Sequence, residues 1–166
     1  LQISSTDEPK ENLELINNMI NSAAAKNVEF VALPETANCI SNSNLHKETV
    51  LQTEKEDITL ASLTEVAKKK SIYILIGSLA IKQNKPKNKF LNRSFLINPS
   101  GSIIAKYDKL HMFDATISDS EEYIESASFV AGKNAKVIST AIGIFGLSIC
   151  YDVRFPHLYR GLSQRG

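Results

Sequence analysis

The chain has 166 residues, of which 43% are hydrophobic and 22% are charged, and its formal net charge is +1 at pH 7. This balance predicts one folded domain that buries a core, and it argues against disorder, a nucleic-acid-binding surface and a polybasic membrane patch. No apolar run reaches the roughly 18 to 20 residues that a bilayer span needs, so we expect no membrane partner and a cytoplasmic location.

The first third of the chain predicts a helix, a strand and a long loop. Residues 6–24 begin with a capping sequence and a proline, and apolar side chains then recur at helical spacing, which predicts an amphipathic helix. Residues 28–33 are a short apolar run that stops at a proline, which predicts a buried strand with Glu35 just beyond its end. The polar, Asn- and Ser-rich stretch 36–56 predicts a loop.

A second helix and strand continue the same alternation. Residues 57–70 place apolar side chains on one helical face, and residues 72–80 form another continuous apolar run. Residues 1–3 read as the interior of a strand, so the predicted order to this point is βαβαβ with helical crossovers. Because the chain opens without methionine and closes on a helix followed by glycine, we expect it to be a piece of a longer protein, truncated at both ends.

The middle of the chain predicts a hairpin. Residues 82–89 are charged and contain a proline, which is typical of a turn. Residues 93–97 and 102–107 then flank the strong turn sequence Asn-Pro-Ser-Gly at 98–101. Antiparallel strands are therefore expected to join the sheet.

The last part of the chain predicts a long irregular segment, a strand pair and a helix. The irregular segment covers 111–131, the strands cover 137–140 and 146–149, and the helix covers 154–165. No internal repeat interrupts this order. Residues 1–166 are therefore predicted to form one α/β domain, with helices packed on a mixed β-sheet.

Three side chains that can carry chemistry follow predicted strands. Glu35, Lys109 and Cys150 each stand just beyond an apolar run. In open α/β sheets functional groups gather outside the carboxyl ends of the strands, so all three could meet at one edge.

A carboxylate, an ammonium group and a thiol can together perform acyl transfer. A thiol needs a cation or a base to become a nucleophile at neutral pH, and Glu35 can serve as that base. Lys109 can favour the thiolate of Cys150 and stabilise an oxyanion, and the backbone amide of Tyr151 is the natural second oxyanion donor.

The cysteines and histidines do not indicate a metal site. Cys39 and Cys150, with His46, His111 and His157, are spaced too widely for a zinc motif. We therefore expect no metal. In a reducing compartment we also expect two separate thiols, with Cys39 as a packing or pocket-wall residue and a disulfide between the two as the rarer outcome.

Three motifs in order give the sequence a family resemblance. They are Leu-Pro-Glu at 33–35, Tyr-Asp-Lys-Leu-His-Met-Phe-Asp at 107–114 and Gly-Leu-Ser-Ile-Cys-Tyr-Asp-Val-Arg-Phe-Pro at 146–156. The chain resembles the nitrilase superfamily of carbon-nitrogen hydrolases over its whole length. The resemblance implies Glu35 as general base, Lys109 as oxyanion stabiliser and Cys150 as the nucleophile that passes through a thioester.

The resemblance also implies a second glutamate between the lysine and the cysteine, and Glu125 matches that position best. Arg154 is a candidate either for a structural ion pair, which we favour, or for drawing in an anionic substrate. The fold implied is part of a four-layer α-β-β-α sandwich whose further strands and helices lie beyond residue 166. No cofactor is implied.

The amino-acid sequences of the second and third motifs are most similar to those of the Nit branch of the superfamily. That branch implies hydrolysis of a small carboxylate-bearing amide, of the deaminated glutathione type or, as the alternative, of the α-ketoglutaramate type cleaved by ω-amidases. A homodimer or higher homo-oligomer is implied as well, with the helix 154–165 meeting the partner subunit.

Each candidate also has an ordinary structural interpretation. Taken alone, Cys150 is a packing residue, Lys109 a solvated lysine, Glu35 a turn cap and Glu125 an exposed loop acid. His111 raises a cysteine-histidine alternative, although a structural histidine is commoner. At the level of the whole chain the alternatives are a catalytically silent scaffold and a flavodoxin-like binding module, the latter weakened by the missing glycine-rich phosphate loop.

Overall fold

Four α-helices and eight β-strands make up the part of the chain that the computed structural model describes, which is residues 1–83, 88–118 and 121–166. The helices are α1 (Pro9–Ala24), α2 (Asn44–Val50), α3 (Ile58–Lys70) and α4 (Pro156–Ser163). The strands are β1 (Phe30–Ala32), β2 (Tyr73–Lys82), β3 (Phe90–Ile97), β4 (Ile103–Asp108), β5 (Asp114–Ser118), β6 (Glu121–Ile124), β7 (Lys136–Thr140) and β8 (Gly143–Leu147). Short 3₁₀ turns cover Glu125–Ala127 and Cys150–Arg154. None of the described helices is long and apolar enough to cross a bilayer.

The main sheet is mixed, as predicted. Its order is β1-β2-β3-β4, in which β1 and β2 are parallel and the other two pairs are antiparallel. Helix α3 makes the crossover between the parallel strands, since a parallel pair needs a long connection. The predicted hairpin around 98–101 joins β3 to β4.

One face of this sheet is covered by α1 and α3. Ile16 and Ile20 of α1, Leu63 of α3 and Ile74 and Ile76 of β2 are each 0% exposed and belong to one apolar cluster. Burying a side chain of this size stabilises the fold by about 1.5–3 kcal/mol, so the apolar faces predicted from sequence account for much of this layer.

The opposite face of the sheet packs against the β7–β8 hairpin. Tyr107 of β4 and Leu147 of β8 lie in a second apolar cluster, and the rings of Phe30 and Phe145 stack with centroids 5.2 Å apart. This hairpin is a separate two-stranded sheet, and it ends close to the segment that carries Cys150.

Several predicted boundaries are wrong. The predicted loop 36–56 contains α2, which Ser43 caps by accepting a hydrogen bond from the backbone of His46. The predicted irregular segment 111–131 contains the β5–β6 hairpin. The second strand of the last pair begins at Gly143, earlier than predicted, because the turn needs only two residues.

The predictions for the first strand and for the last helix also differ from the structure. Residues 1–3 form no strand in the structure, so the predicted first strand is wrong. The predicted helix 154–165 is divided between the 3₁₀ turn and α4, because Pro156 begins a new helix. Part of the predicted turn 82–89 lies outside the described residues.

Candidate active site

Glu35 is held by the end of β1 and a bulge in β2. The backbone of Leu33 still pairs with the sheet, and the register of β2 shifts between Ile76 and Leu79, just beside it. Gly77 lies in this bulge so close to the neighbouring chain that a Cβ atom there would come within 2.2 Å of the Leu33 carbonyl oxygen. Thr36, directly after Glu35, has φ of 44°, which is strained for a β-branched residue. The carboxylate therefore projects from a fixed turn.

Lys109 follows β4 and is almost entirely buried, with a side chain that is 2% exposed. Its backbone N–H bonds to the carbonyl of Asn92 on β3 at 3.0 Å, which extends the ladder by one residue. Asp108, one position earlier, forms a two-pronged ion pair with Arg93 at 2.6 and 2.8 Å. These contacts fix the backbone from which the lysine extends.

Two carboxylates share the ammonium group of Lys109. Its Nζ donates to Glu35 Oε1 at 2.9 Å and to Glu125 Oε1 and Oε2 at 3.0 and 2.8 Å. Burial lowers the pKa of Lys109, but the hydrogen bonds and charges of Glu125 and Glu35 outweigh it and raise that pKa above its ordinary value. The lysine is therefore a fixed cation at neutral pH.

Glu125 is brought to the lysine by the 3₁₀ turn after β6. Its side chain is 16% exposed and also accepts the backbone N–H of Phe113 at 2.7 Å. The structure thus places Glu125 beside Glu35 and Lys109, and it contradicts the interpretation of Glu125 as an exposed loop acid. The β5–β6 hairpin connects Lys109 to Glu125 along the chain, and the sequence analysis did not predict this hairpin.

Asn92 is a member of this cluster that sequence reasoning did not find. Its side-chain amide donates to Glu35 Oε1 at 2.7 Å and to Glu125 Oε1 at 3.2 Å, and its own oxygen is buried without a partner among the described residues. Asn92 stands at a buried position of β3, between Phe90 and Ser94 on the same face of the strand. A polar residue at a buried strand position is the signal that could have revealed it.

Cys150 begins the 3₁₀ turn after β8 and is exposed. Its φ of 46° is a conformation that L-residues adopt at a cost and that clusters at functional sites. Partial desolvation of the sulfur, together with the negative charge of Glu35, raises the pKa of the thiol, while the charge of Lys109 acts in the opposite direction. The thiol is thus in electrostatic contact with the acid and the amine.

A buried carboxylate ties the cysteine turn to the lysine segment. Asp152 is 0% exposed, and its Oδ2 accepts from the Tyr107 hydroxyl at 2.6 Å and from the Ile149 backbone at 2.9 Å. Its Oδ1 accepts from the backbone of His111 at 3.1 Å and lies 2.7 Å from the ring Nδ1 of the same residue. Asp152 therefore couples the positions of Lys109 and Cys150.

His111 has a structural environment. Besides Asp152, its ring stacks on Phe155 with centroids 3.5 Å apart, and it is not among the residues that line the cavity described below. This placement agrees with the structural interpretation of His111 and leaves the cysteine-histidine alternative without support.

Tyr151 and Arg154 lie beside the cysteine. The Tyr151 ring packs edge-on against Phe113 and Phe155, at 5.1 and 5.5 Å between centroids. Arg154 is exposed and forms no ion pair with any residue that the structure describes, so its role, in a structural ion pair or in drawing in an anionic substrate, stays a prediction. The role of the Tyr151 amide as an oxyanion donor stays a prediction.

The clustered groups open into one cavity of about 590 Å³. Of the predicted site residues, Glu35, Lys109, Glu125 and Cys150 line it, whereas Tyr151 and Arg154 do not. The other lining residues are Thr36, Ile40, Ser41, Asn42, Lys47, Asn92, Phe113, Glu122, Tyr123, Ile124, Ser128 and Phe129. A cavity of this size suits a small-molecule substrate.

Neither cysteine is paired in the structure. Cys39 is buried in a separate apolar cluster with Phe90, as the packing interpretation predicts, and it does not line the cavity. The group Asp7, Glu8 and His46 brings three potential metal-ligand atoms within 4.8 Å of one another on the surface, but it lies apart from the residues that line the cavity.

A mixed α/β fold with a thiol, an ammonium group and two carboxylates in one cavity is the arrangement that the sequence motifs implied. The family model for carbon-nitrogen hydrolases matches residues 1–166, so the chain belongs to the carbon-nitrogen hydrolase family, within the nitrilase superfamily.

Two curated relatives and one solved structure illustrate the similarity. Deaminated glutathione amidase of Synechocystis sp. (strain PCC 6803 / GT-S) is 36% identical and matches 100% of this chain and 61% of its own length. Omega-amidase NIT2 of Homo sapiens is 32% identical and matches 100% of this chain and 58% of its own length. The C. elegans NitFhit crystal structure superposes with a TM-score of 0.89 at 31% identity, covering 99% of this chain and 40% of that one. The chain therefore spans about three fifths of the length of the two curated relatives.

Proposed function

We propose that this protein is an amidohydrolase that cleaves the carbon-nitrogen bond of a small amide through a thioester on Cys150. The observation that carries the proposal is the convergence of Cys150 with Glu35, Lys109 and Glu125 in one cavity. Membership of the carbon-nitrogen hydrolase family supports the same reaction class.

In the first half-reaction, Glu35 takes the proton of Cys150 as its Sγ attacks the amide carbonyl carbon. The oxyanion receives hydrogen bonds from Lys109 Nζ and from the Tyr151 amide, and one such donor stabilises a transition state by about 3–4 kcal/mol. Glu35 then gives its proton to the departing nitrogen, the carbon-nitrogen bond breaks, and ammonia or an amine leaves a thioester behind.

In the second half-reaction, Glu35 removes a proton from water as the water oxygen attacks the thioester carbonyl. The carbon-sulfur bond breaks, an acid leaves, and the proton returns to Cys150. Glu125 takes no proton in this scheme. Its two bonds to Lys109 hold the ammonium group at the place where the oxyanion forms.

We propose a carboxylate-bearing amide of the deaminated glutathione type as the substrate. The 36% identity to the relative named deaminated glutathione amidase favours this choice. An ω-amidase specificity is the second candidate, supported by the 32% identity to the relative named omega-amidase NIT2. A homodimer or higher homo-oligomer in the cytoplasm stays our prediction for the assembly and location.

The test is release of cysteinylglycine, detected as a new primary amine, from deaminated glutathione and release of ammonia from α-ketoglutaramate, with Cys150→Ala as the matched control. We expect the wild-type protein to hydrolyse at least one of them and the variant neither, with melting temperatures within a few degrees of each other because Cys150 is exposed. Mass spectrometry of the quenched reaction should find an acyl adduct on Cys150. A folded protein that forms no adduct and releases neither cysteinylglycine nor ammonia would establish the alternative, a catalytically silent scaffold.

A further inference from the structure

Helix α2 buries a charged side chain and exposes an apolar one. Lys47 is 5% exposed and is the buried residue of this helix, whereas Leu45 is 81% exposed. Lysine is almost never fully buried without a partner, and a leucine two positions away would fill an apolar site better. The orientation therefore needs a reason beyond packing.

Lys47 has aromatic neighbours in place of a counter-ion. Its Nζ lies 5.5 Å from the ring centroid of Phe90 and 5.2 Å from that of Phe129. Within the described ranges no carboxylate lies within 4.0 Å of it. Burial, the charges of Asp7 and Glu8, and an opposing effect of Lys47 leave the pKa of the nearby Cys39 thiol at about 11, so that thiol is neutral at pH 7 and supplies no counter-charge.

Cation-π contacts only partly offset the removal of an ammonium group from water. Burial accordingly lowers the pKa of Lys47. A bound anion would supply the missing counter-charge.

Lys47 faces the same cavity as Cys150. Lys109 is the other lysine among the described lining residues; it is paired with Glu35 and Glu125, and the proposed reaction uses it at the amide carbonyl. Lys47 is thus the cation in this lining that has no carboxylate partner among the described residues and can pair with a carboxylate of the ligand, and Ser41 and Asn42 add polar groups from the loop before α2.

We infer that Lys47 is the residue that determines substrate specificity in this site, by binding a carboxylate carried on the acyl chain of the amide. The inference rests on the proposed amidase function and deepens it. The substrate then spans the cavity, with its amide carbonyl at Cys150 and Lys109 and its carboxylate at the ammonium group of Lys47.

The kinetic test compares two amides that differ only in the terminal group, glutaramate with a carboxylate and pentanamide with a methyl group. Lys47→Met removes the charge and keeps the length of the side chain. We expect kcat/KM for glutaramate to fall about 10- to 100-fold, the range for a hydrogen bond to a charged group, and kcat/KM for pentanamide to stay within about 3-fold. Equal losses on both amides, or no loss on glutaramate, would overturn the inference.

Lys82→Met is the matched control, because Lys82 also contacts α2 but is paired with Glu48 at 3.0 Å and does not line the cavity. The variant removes the same charge from the same region. It should leave the ratio of the two kcat/KM values unchanged. A change in that ratio as large as the one caused by Lys47→Met would show that the overall positive charge near α2 is responsible, and it would overturn the specific role of Lys47.

A binding test separates this inference from the proposed function. Calorimetry with glutarate on Cys150→Ala should show binding that weakens about 10- to 100-fold in Cys150→Ala/Lys47→Met. If the wild-type protein hydrolyses neither amide but glutarate binding still depends on Lys47, the amidase proposal fails and the anion site stands. Glutarate binding that is absent, or identical in both variants, overturns the anion site whatever the activity.

Discussion

Replacing Asp152 by asparagine will loosen the link between the cysteine turn and the lysine segment. The two carboxylate oxygens face four donor groups, on Tyr107, Ile149 and the backbone and ring of His111. Asparagine keeps the shape of the aspartate side chain but has only one acceptor oxygen. The two donor groups that faced the other carboxylate oxygen would therefore face an NH₂ group. Breaking a buried charged network costs about 3–5 kcal/mol, and the Tyr107 hydroxyl can rotate to accept one bond, so we expect the free energy of unfolding to fall by about 2–4 kcal/mol.

Urea denaturation followed by far-ultraviolet circular dichroism measures this change, since the chain has no tryptophan. Tyr107→Phe removes the hydroxyl that bonds Asp152 at 2.6 Å, and the double variant should lose less than the sum of the single losses. Glu14→Gln, on the exposed side of α1, should stay within about 0.5 kcal/mol of wild type. A loss below about 1 kcal/mol for Asp152→Asn, or strict additivity with Tyr107→Phe, would refute the network argument.

Three further changes test the geometry around the thiol and the acid. Cys150→Gly should be more stable than Cys150→Ala by up to about 1 kcal/mol in urea unfolding, because glycine adopts the φ of 46° freely; equal stability would contradict strain at this position. Glu35→Gln should speed alkylation of Cys150 by iodoacetamide at pH 8 while slowing amide turnover, because loss of the negative charge lowers the thiol pKa and raises the thiolate fraction; unchanged alkylation would disprove the coupling. Gly77→Ala should cost about 1–3 kcal/mol in the same unfolding assay, because its Cβ would lie 2.2 Å from the Leu33 carbonyl oxygen, whereas Gly161→Ala, with nothing within 4 Å, serves as the tolerated control.

The sheet and the helices that cover it could be predicted from the sequence, because the apolar positions that define each element's periodicity are the positions that are buried. The face of α3 that contains Leu60, Leu63 and Ala67 is buried as the spacing predicts, and the turn at 98–101 joins its strands as its residue types predict. The β5–β6 hairpin could not be predicted, since all four residues of β6 are exposed and show no alternation of apolar and polar side chains.

The site was predictable wherever a side chain follows a strand. Glu35, Lys109 and Cys150 meet because each leaves the packed interior at the same side of the fold, as the edge argument predicted. Asn92 and Lys47 were missed for a shared reason: each is a polar residue at a buried position of an element, and sequence periodicity treats such a residue as an exposed one.

The two carboxylates around the ammonium group of Lys109 affect the release of the acid product in the proposed reaction. The amide group that reacts is uncharged, but the carboxyl group that replaces it becomes an anion beside Glu35 and Glu125, both of which are paired with Lys109. Repulsion between like charges at this range pushes the newly formed anion away from the thiol. The end of the pocket at the thiol thus favours departure of the new carboxylate after each cycle, and an acid product that stays bound is held by its other carboxylate, at Lys47.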